Sequence, residues 1–215
     1  MIRIRSAAAA VLLAAACLLA GCSGTSGAKP SAGPSQLNDR IGSAGPYQGA
    51  GLDPAQPRPS FTLTATDGQP FAFQQRTEGH PTLLYFGYTN CPDVCPLTMA
   101  DIHAALMKLP ASLQKQVYVV FVSTDVKRDT AAVLRRWLAN FDGGVAATFV
   151  GLRGTQAQVD AAQAAAHVTV AEDAGQTHSA EVLLFGSDDY ARVVYPQSTN
   201  EAQQIAHDLP LVAKA

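Results

Sequence analysis

The chain has 215 residues, 47% of them hydrophobic and 15% charged, with a formal net charge of −2. That length allows one or two domains, and the near-neutral charge without a basic stripe leaves a nucleic-acid role unsupported. The apolar content does not make the chain a membrane-spanning protein: alanine supplies 38 residues, and no segment after the N-terminus reaches the ~18–20 apolar residues of a spanning helix.

Arg3 and Arg5 precede an almost wholly apolar run over 7–20, AAAAVLLAAACLLA. This is the charged and apolar architecture of a secretory signal. It ends Leu19-Ala20-Gly21-Cys22, which resembles the lipobox of bacterial lipoproteins. The resemblance implies a signal peptide over 1–21, cleavage before Cys22 and lipidation of its thiol. An ordinary cleaved signal and an uncleaved anchor are the alternatives. Loss of Arg3 and Arg5 takes the formal charge to −4. The expected location is the extracytoplasmic face of the cell membrane, lipid-anchored, where disulfides are permitted. Cys17 leaves with the signal, so Cys91 and Cys95 remain as thiols.

Residues 22–57 are rich in Gly, Ser, Pro and Ala. Such a stretch buries too little surface to offset its ordering entropy, so a flexible tether is expected. The alternative is a loop packed on the domain, above all over 46–59.

From residue 58 the patterns are those of one domain reaching 215. Phe61–Thr66 alternates apolar and polar residues; Asp67-Gly68 signals a hairpin turn, and Phe71-Ala72-Phe73 returns. Thr82–Tyr88 is an apolar, aromatic run that reads as a buried strand. Helical spacing over 97–109 ends at Pro110, and QVYVVFV over 116–122 is a second buried strand. A helix over 130–141 takes Asp129 as N-cap, and an alanine-rich helix spans 155–166. Strands over 182–185 and 192–195 flank a turn at Ser187-Asp188-Asp189. A final helix covers 199–213, with Pro210 ending its regular part. Helices alternating with apolar strands predict an α/β fold: a thioredoxin-like central sheet flanked by helices, with an N-terminal β-hairpin extension.

The strand over 82–88 leads into Thr89-Asn90-Cys91-Pro92-Asp93-Val94-Cys95-Pro96. Thiols at a helix start meet free N–H groups and the helix dipole. Prolines suit first-turn positions, which need no amide proton. The spacing is C-x-x-x-C. In a regular helix this leaves Cβ atoms ~5–6 Å apart, wider than the ~3.5–4.5 Å of a disulfide. Cys91 must therefore lie off the helix for the pair to oxidise. Two ~2.3 Å metal–sulfur bonds bridge a wider gap, so the spacing admits both states and leans toward metal. A purely stabilising disulfide is the alternative, but it would close a very small loop.

Two thiolates alone can hold Cu(I), and an added imidazole would admit Cu(II). His80, His103, His167 and His207 read as surface or packing residues. His103 lies eight residues past Cys95, ~12 Å along a helix. His178 differs. In thioredoxin-like proteins the loop before the strand corresponding to 180–186 faces the cysteine loop, and a cis-proline there presents backbone to substrate. This chain has no proline between Pro110 and Pro196, and His178 stands in that loop. A structural or capping role is its alternative.

Tyr85-Phe-Gly-Tyr-Thr-Asn-Cys-Pro-Asp-Val-Cys-Pro96 resembles the signature of the Sco/SenC family of copper proteins. Val122–Thr130, Phe141, Gly151–Gly154 and His178-Ser179 extend the resemblance over most of 58–200. It implies a copper-binding thioredoxin-like domain outside the membrane, with Cys91, Cys95 and His178 as metal ligands. It implies delivery of copper, as Cu(I) or Cu(II), to the CuA site on a cytochrome c oxidase subunit, from an unidentified upstream donor. Gln176 and Thr177 stand where the family usually carries Tyr and Asp, and Val126 replaces a usual proline. Asp93, between the cysteines, reads as a partner-steering charge or as a solvated turn residue. The competing expectation is a thiol-disulfide reductase that keeps acceptor cysteines reduced through the redox-active pair Cys91 and Cys95.

Overall fold

The computed structural model describes residues 41–42, 45–171 and 180–214. The signal segment, Cys22 and His178 lie outside these residues. The described residues open with strands β1 (Ile41–Gly42), β2 (Ala50–Pro57), β3 (Thr62–Ala65) and β4 (Pro70–Ala72), then the short helix α1 (Phe73–Thr77). Strand β5 (Thr82–Gly87) leads to α2 (Val94–Met107), α3 (Ala111–Gln114), β6 (Tyr118–Ser123) and α4 (Ala131–Leu138). Strand β7 (Thr148–Arg153), α5 (Gln156–Ala165), β8 (Val182–Phe185), β9 (Tyr190–Tyr195) and α6 (Glu201–Val212) complete it.

Among the described residues these strands form one sheet in the order β1-β2-β9-β8-β5-β6-β7-β3-β4. The centre is β5, every residue of which is buried. It pairs parallel with β6 and antiparallel with β8. Burial on both faces explains its unbroken apolar run, because a strand covered on both sides has no polar face to alternate. Leu83 and Tyr85 point into the layer beneath α2, α4 and α6, beside Ile102, Leu134 and Ile205. Leu84 and Phe86 point the other way, toward Phe73 of α1 and Val159 of α5. The result is a thioredoxin-like sheet between two helical layers. The β3–β4 hairpin, turning at Asp67-Gly68, sits at one edge.

Four expectations change. Residues 50–57, expected to be part of a flexible tether, belong to the sheet: β2 pairs antiparallel with β9. Long-range contacts hold it where composition predicted none. Buried Asp208 accepts the amides of Gln48 and Gly49, each at 2.9 Å. Gly49 lies so close to β9 that a Cβ there would meet Val193 Cγ2 at 2.4 Å. Second, Asp129 is not the cap of α4. Thr130 is, its hydroxyl accepting the Val133 amide at 3.2 Å. Third, α6 runs through Pro210 to Val212. Burial of Ile205, Leu209 and Val212 offsets the amide lost at the proline. The helix read over 97–109 runs over 94–107, so Cys95 is helical.

Candidate metal centre

The centre grows from the exit of β5. Gly87 is tightly packed there: a Cβ on it would stand 3.0 Å from Cys95 Sγ and 3.1 Å from Phe121 Cε2. The chain then turns, with the Cys91 amide donating to the Tyr88 carbonyl at 3.3 Å. Asp93 is exposed and caps α2, accepting the Val94 amide at 2.6 Å. Cys91 thus precedes the helix, whereas Cys95 and Pro96 lie in its first turn. Pro92 stands before the cap.

First-turn amides have no partner within their own helix. The Cys95 amide is one of these, and it donates to Cys91 Sγ at 3.3 Å. The two cysteines are therefore neighbours, and no disulfide joins them. They differ in exposure. Cys91 is half-buried and Cys95 fully buried. Burial pushes the Cys95 thiol up to about 12, against opposing hydrogen bonds from the Tyr85 hydroxyl and the Tyr88 backbone. Burial first, and then Cys95, raise the Tyr85 phenol as well. Tyr88 is raised by burial and by Cys91. The two tyrosines of Tyr85-Phe-Gly-Tyr88 thus each stand beside one thiol.

A second anchor was not legible in advance. Fully buried Asp129 accepts the Thr89 amide at 3.0 Å, the Thr89 hydroxyl at 2.5 Å and the Ser123 hydroxyl at 2.5 Å. The Thr124 amide also donates to the Gly87 carbonyl at 2.8 Å. The cysteine loop is therefore fixed to the end of β6 from both sides of Tyr88. The signal was present in Ser123-Thr-Asp-Val-Lys-Arg-Asp129, but a short-range cap was the simpler reading.

Three of the other histidines are engaged elsewhere. His103 Nδ1 lies 2.8 Å from the Phe141 carbonyl, His80 Nδ1 3.2 Å from that of Gln116, and His207 Nδ1 2.7 Å from Asp208 Oδ1. Among the described residues no three or more His, Cys, Asp or Glu side chains gather to hold a metal. The pair Cys91 and Cys95 offers two soft sulfur donors at a helix start, which suits a soft ion such as Cu(I). His178 lies outside the described residues.

The SCO1/SenC family model matches residues 50–213. A protein of Stutzerimonas stutzeri named for copper binding is 31% identical over 140 residues, covering 62% of this chain and 66% of that protein. Protein SenC of Rhodobacter capsulatus is 37% identical over 115 residues, covering 54% and 49%. The match spans about two thirds of the first relative's length and about half of the second's. The solved structure of Bradyrhizobium japonicum ScoI with copper bound is 30% identical with a TM-score of 0.58, covering 72% of this chain and 98% of that one. With a family match that takes in β2 to β9, the cysteine loop and α6, the chain belongs to the SCO1/SenC family.

Proposed function

We propose that the protein is a lipid-tethered, extracytoplasmic copper chaperone that delivers copper to the CuA site of cytochrome c oxidase. Copper is its cargo, held by Cys91, Cys95 and His178. The supporting observation is the thiol pair at the start of α2, one sulfur half-exposed and the other buried, with the Cys95 amide donating to Cys91 Sγ. Soft sulfur ligands retain Cu(I) yet exchange it with other thiolates. Cys91 offers the accessible edge for that exchange, while Asp129 and Tyr85 hold the loop and the buried thiol. His178 completes a three-coordinate site and extends it to Cu(II). Lipid on Cys22 and the segment between it and β1 keep the domain near its acceptor.

The test is transfer from the copper-loaded mature chain to a copper-free CuA domain. Wild type moves copper, and Cys91→Ser and Cys95→Ser do not. Absence of transfer from loaded wild type contradicts delivery.

The thiol-disulfide reductase reading is favoured by the same asymmetry, an accessible Cys91 followed by a buried Cys95. Cys91 would attack an acceptor disulfide and Cys95 would resolve the mixed disulfide. Two electrons would pass to the acceptor, leaving a Cys91–Cys95 disulfide. Oxidase assembly that survives His178→Ala but requires both cysteines selects this reading.

A further inference from the structure

A groove with a cavity volume of about 320 Å³ lies beside the cysteine loop, lined by Thr89, Val133, Arg136, Trp137 and Asn140. Four of these recur at i, i+3, i+4 and i+7, one face of α4 continued into its following turn. The fifth, Thr89, is two residues before Cys91 and is held by Asp129. One wall of the groove is thus the loop that carries the accessible thiol.

The walls are firm and their chemistry is uneven. Trp137 packs on Phe121 and Phe141, with ring centroids 4.8 Å and 4.9 Å apart. Val133 is 36% exposed. Among the described residues Arg136 is the charged residue of the lining, with no carboxylate beside it there. Neighbouring cations are engaged: Arg135 donates to the Thr66 carbonyl, and Arg128 pairs with Asp125. Among the described residues Arg136 has no ion-pair partner. Tryptophan and arginine in a concave, partly desolvated site are the residue types that carry most binding energy at interfaces.

We propose that this groove is the docking site for the copper acceptor. It receives a protruding segment that sets a carboxylate beside an apolar side chain. The carboxylate pairs with Arg136 and accepts from the Asn140 amide, and the apolar group lies on Trp137 and Val133. Charge complementarity selects this occupant: among the described residues of the lining, the Arg136 guanidinium stands without an ion-pair partner beside donor groups and an apolar wall. Docking here seats the acceptor against Thr89 and brings its ligands to Cys91. The inference rests on the delivery reading and names the surface that delivery uses.

Trp137 is the single tryptophan of the chain, so its indole N–H reports groove occupancy without ambiguity. The experiment titrates the ¹⁵N-labelled mature chain with an unlabelled, copper-free CuA domain of cytochrome c oxidase. Wild type and Arg136→Glu are compared at low and high salt, and copper transfer is timed for both. The Trp137 indole and Asn140 side-chain amide signals are expected to shift to saturation. Arg136→Glu is expected to weaken binding and slow sub-saturating transfer by about tenfold or more. High salt should weaken wild type more than the variant. Copper stoichiometry and urea midpoint of the variant should match wild type, because Arg136 is exposed and outside the thiol site.

Binding that leaves Trp137 unmoved, no binding at all, or equal behaviour of Arg136→Glu overturns the proposal. Trp137 shifts that depend on the chain's own concentration assign the groove to a second copy and also overturn it. Normal transfer by Arg136→Glu removes the groove and leaves delivery standing. Groove binding without movement of copper removes delivery and leaves the groove standing.

Discussion

The Asp129 carboxylate accepts both the amide and the hydroxyl of Thr89, at 3.0 Å and 2.5 Å, across forty positions of sequence. With Ser123 as third donor, a buried carboxyl group positions the loop before Cys91. Asp129→Ala leaves these donors without an acceptor. The expected loss is about 2–4 kcal/mol of stability, read by urea unfolding. The Thr89 amide should also exchange with solvent faster relative to amides of β5. Unchanged protection at Thr89 would remove Asp129 from this role.

The thiols should differ in reactivity. Cys91 is half-buried, whereas Cys95 is fully buried and its thiol is raised to about 12 by that burial. Only the thiolate is nucleophilic. In the copper-free reduced protein, iodoacetamide should label Cys91 at least about tenfold faster than Cys95. Peptide mapping of a time course checks this. Equal rates would mean that Cys95 is not held as described.

Gly87→Ala should disturb the site through space. Its Cβ would enter a contact of 3.0 Å with Cys95 Sγ and 3.1 Å with Phe121. Overpacking of this kind costs about 1–3 kcal/mol. The sulfur-to-copper absorption of the loaded variant should shift as Cys95 moves. Gly143→Ala is the control, since nothing lies within 4 Å of a Cβ there; it should alter neither property.

How much of this was readable from the residues depended on range. Thr82–Gly87 and Tyr118–Ser123 were legible because strands buried on both faces demand continuous apolar runs. The cysteine loop was legible because its prolines and thiols sit between such a strand and a helix. By contrast, Ala50–Pro57 contains two prolines and no alternation. Its place in the sheet comes from β9 and from Asp208, about 160 positions away. Asp129 likewise looked like a local cap because its partner, Thr89, lies far upstream. Pro210 looked like a helix end because the packing that tolerates it is tertiary.

Glu201 should make stability depend on pH. It is fully buried at the start of α6, and its carboxyl is raised to about 8, first by burial and then by Asp101 of α2. An unfolded glutamate titrates near ~4.3. Between these values the folded chain holds a proton that the unfolded chain lacks, so this contribution to stability falls as pH rises from about 4.5 to 8. Glu201→Gln should flatten that fall. It should gain on the order of 3 kcal/mol at pH 8 and almost nothing at pH 4. Urea unfolding across that range decides the matter, and parallel curves for both proteins would contradict it.

The central claim is a copper site built from Cys91, Cys95 and His178. Its most direct test is copper titration of the reduced mature chain, followed by optical and spin-resonance spectra, for wild type, Cys91→Ser, Cys95→Ser and His178→Ala. The account predicts a stoichiometric site whose sulfur-to-copper absorption vanishes in either serine variant. His178→Ala should keep Cu(I) and selectively lose affinity for Cu(II). A chain that shows no thiolate-dependent stoichiometric site, or a His178→Ala variant that binds Cu(II) as wild type does, would contradict it.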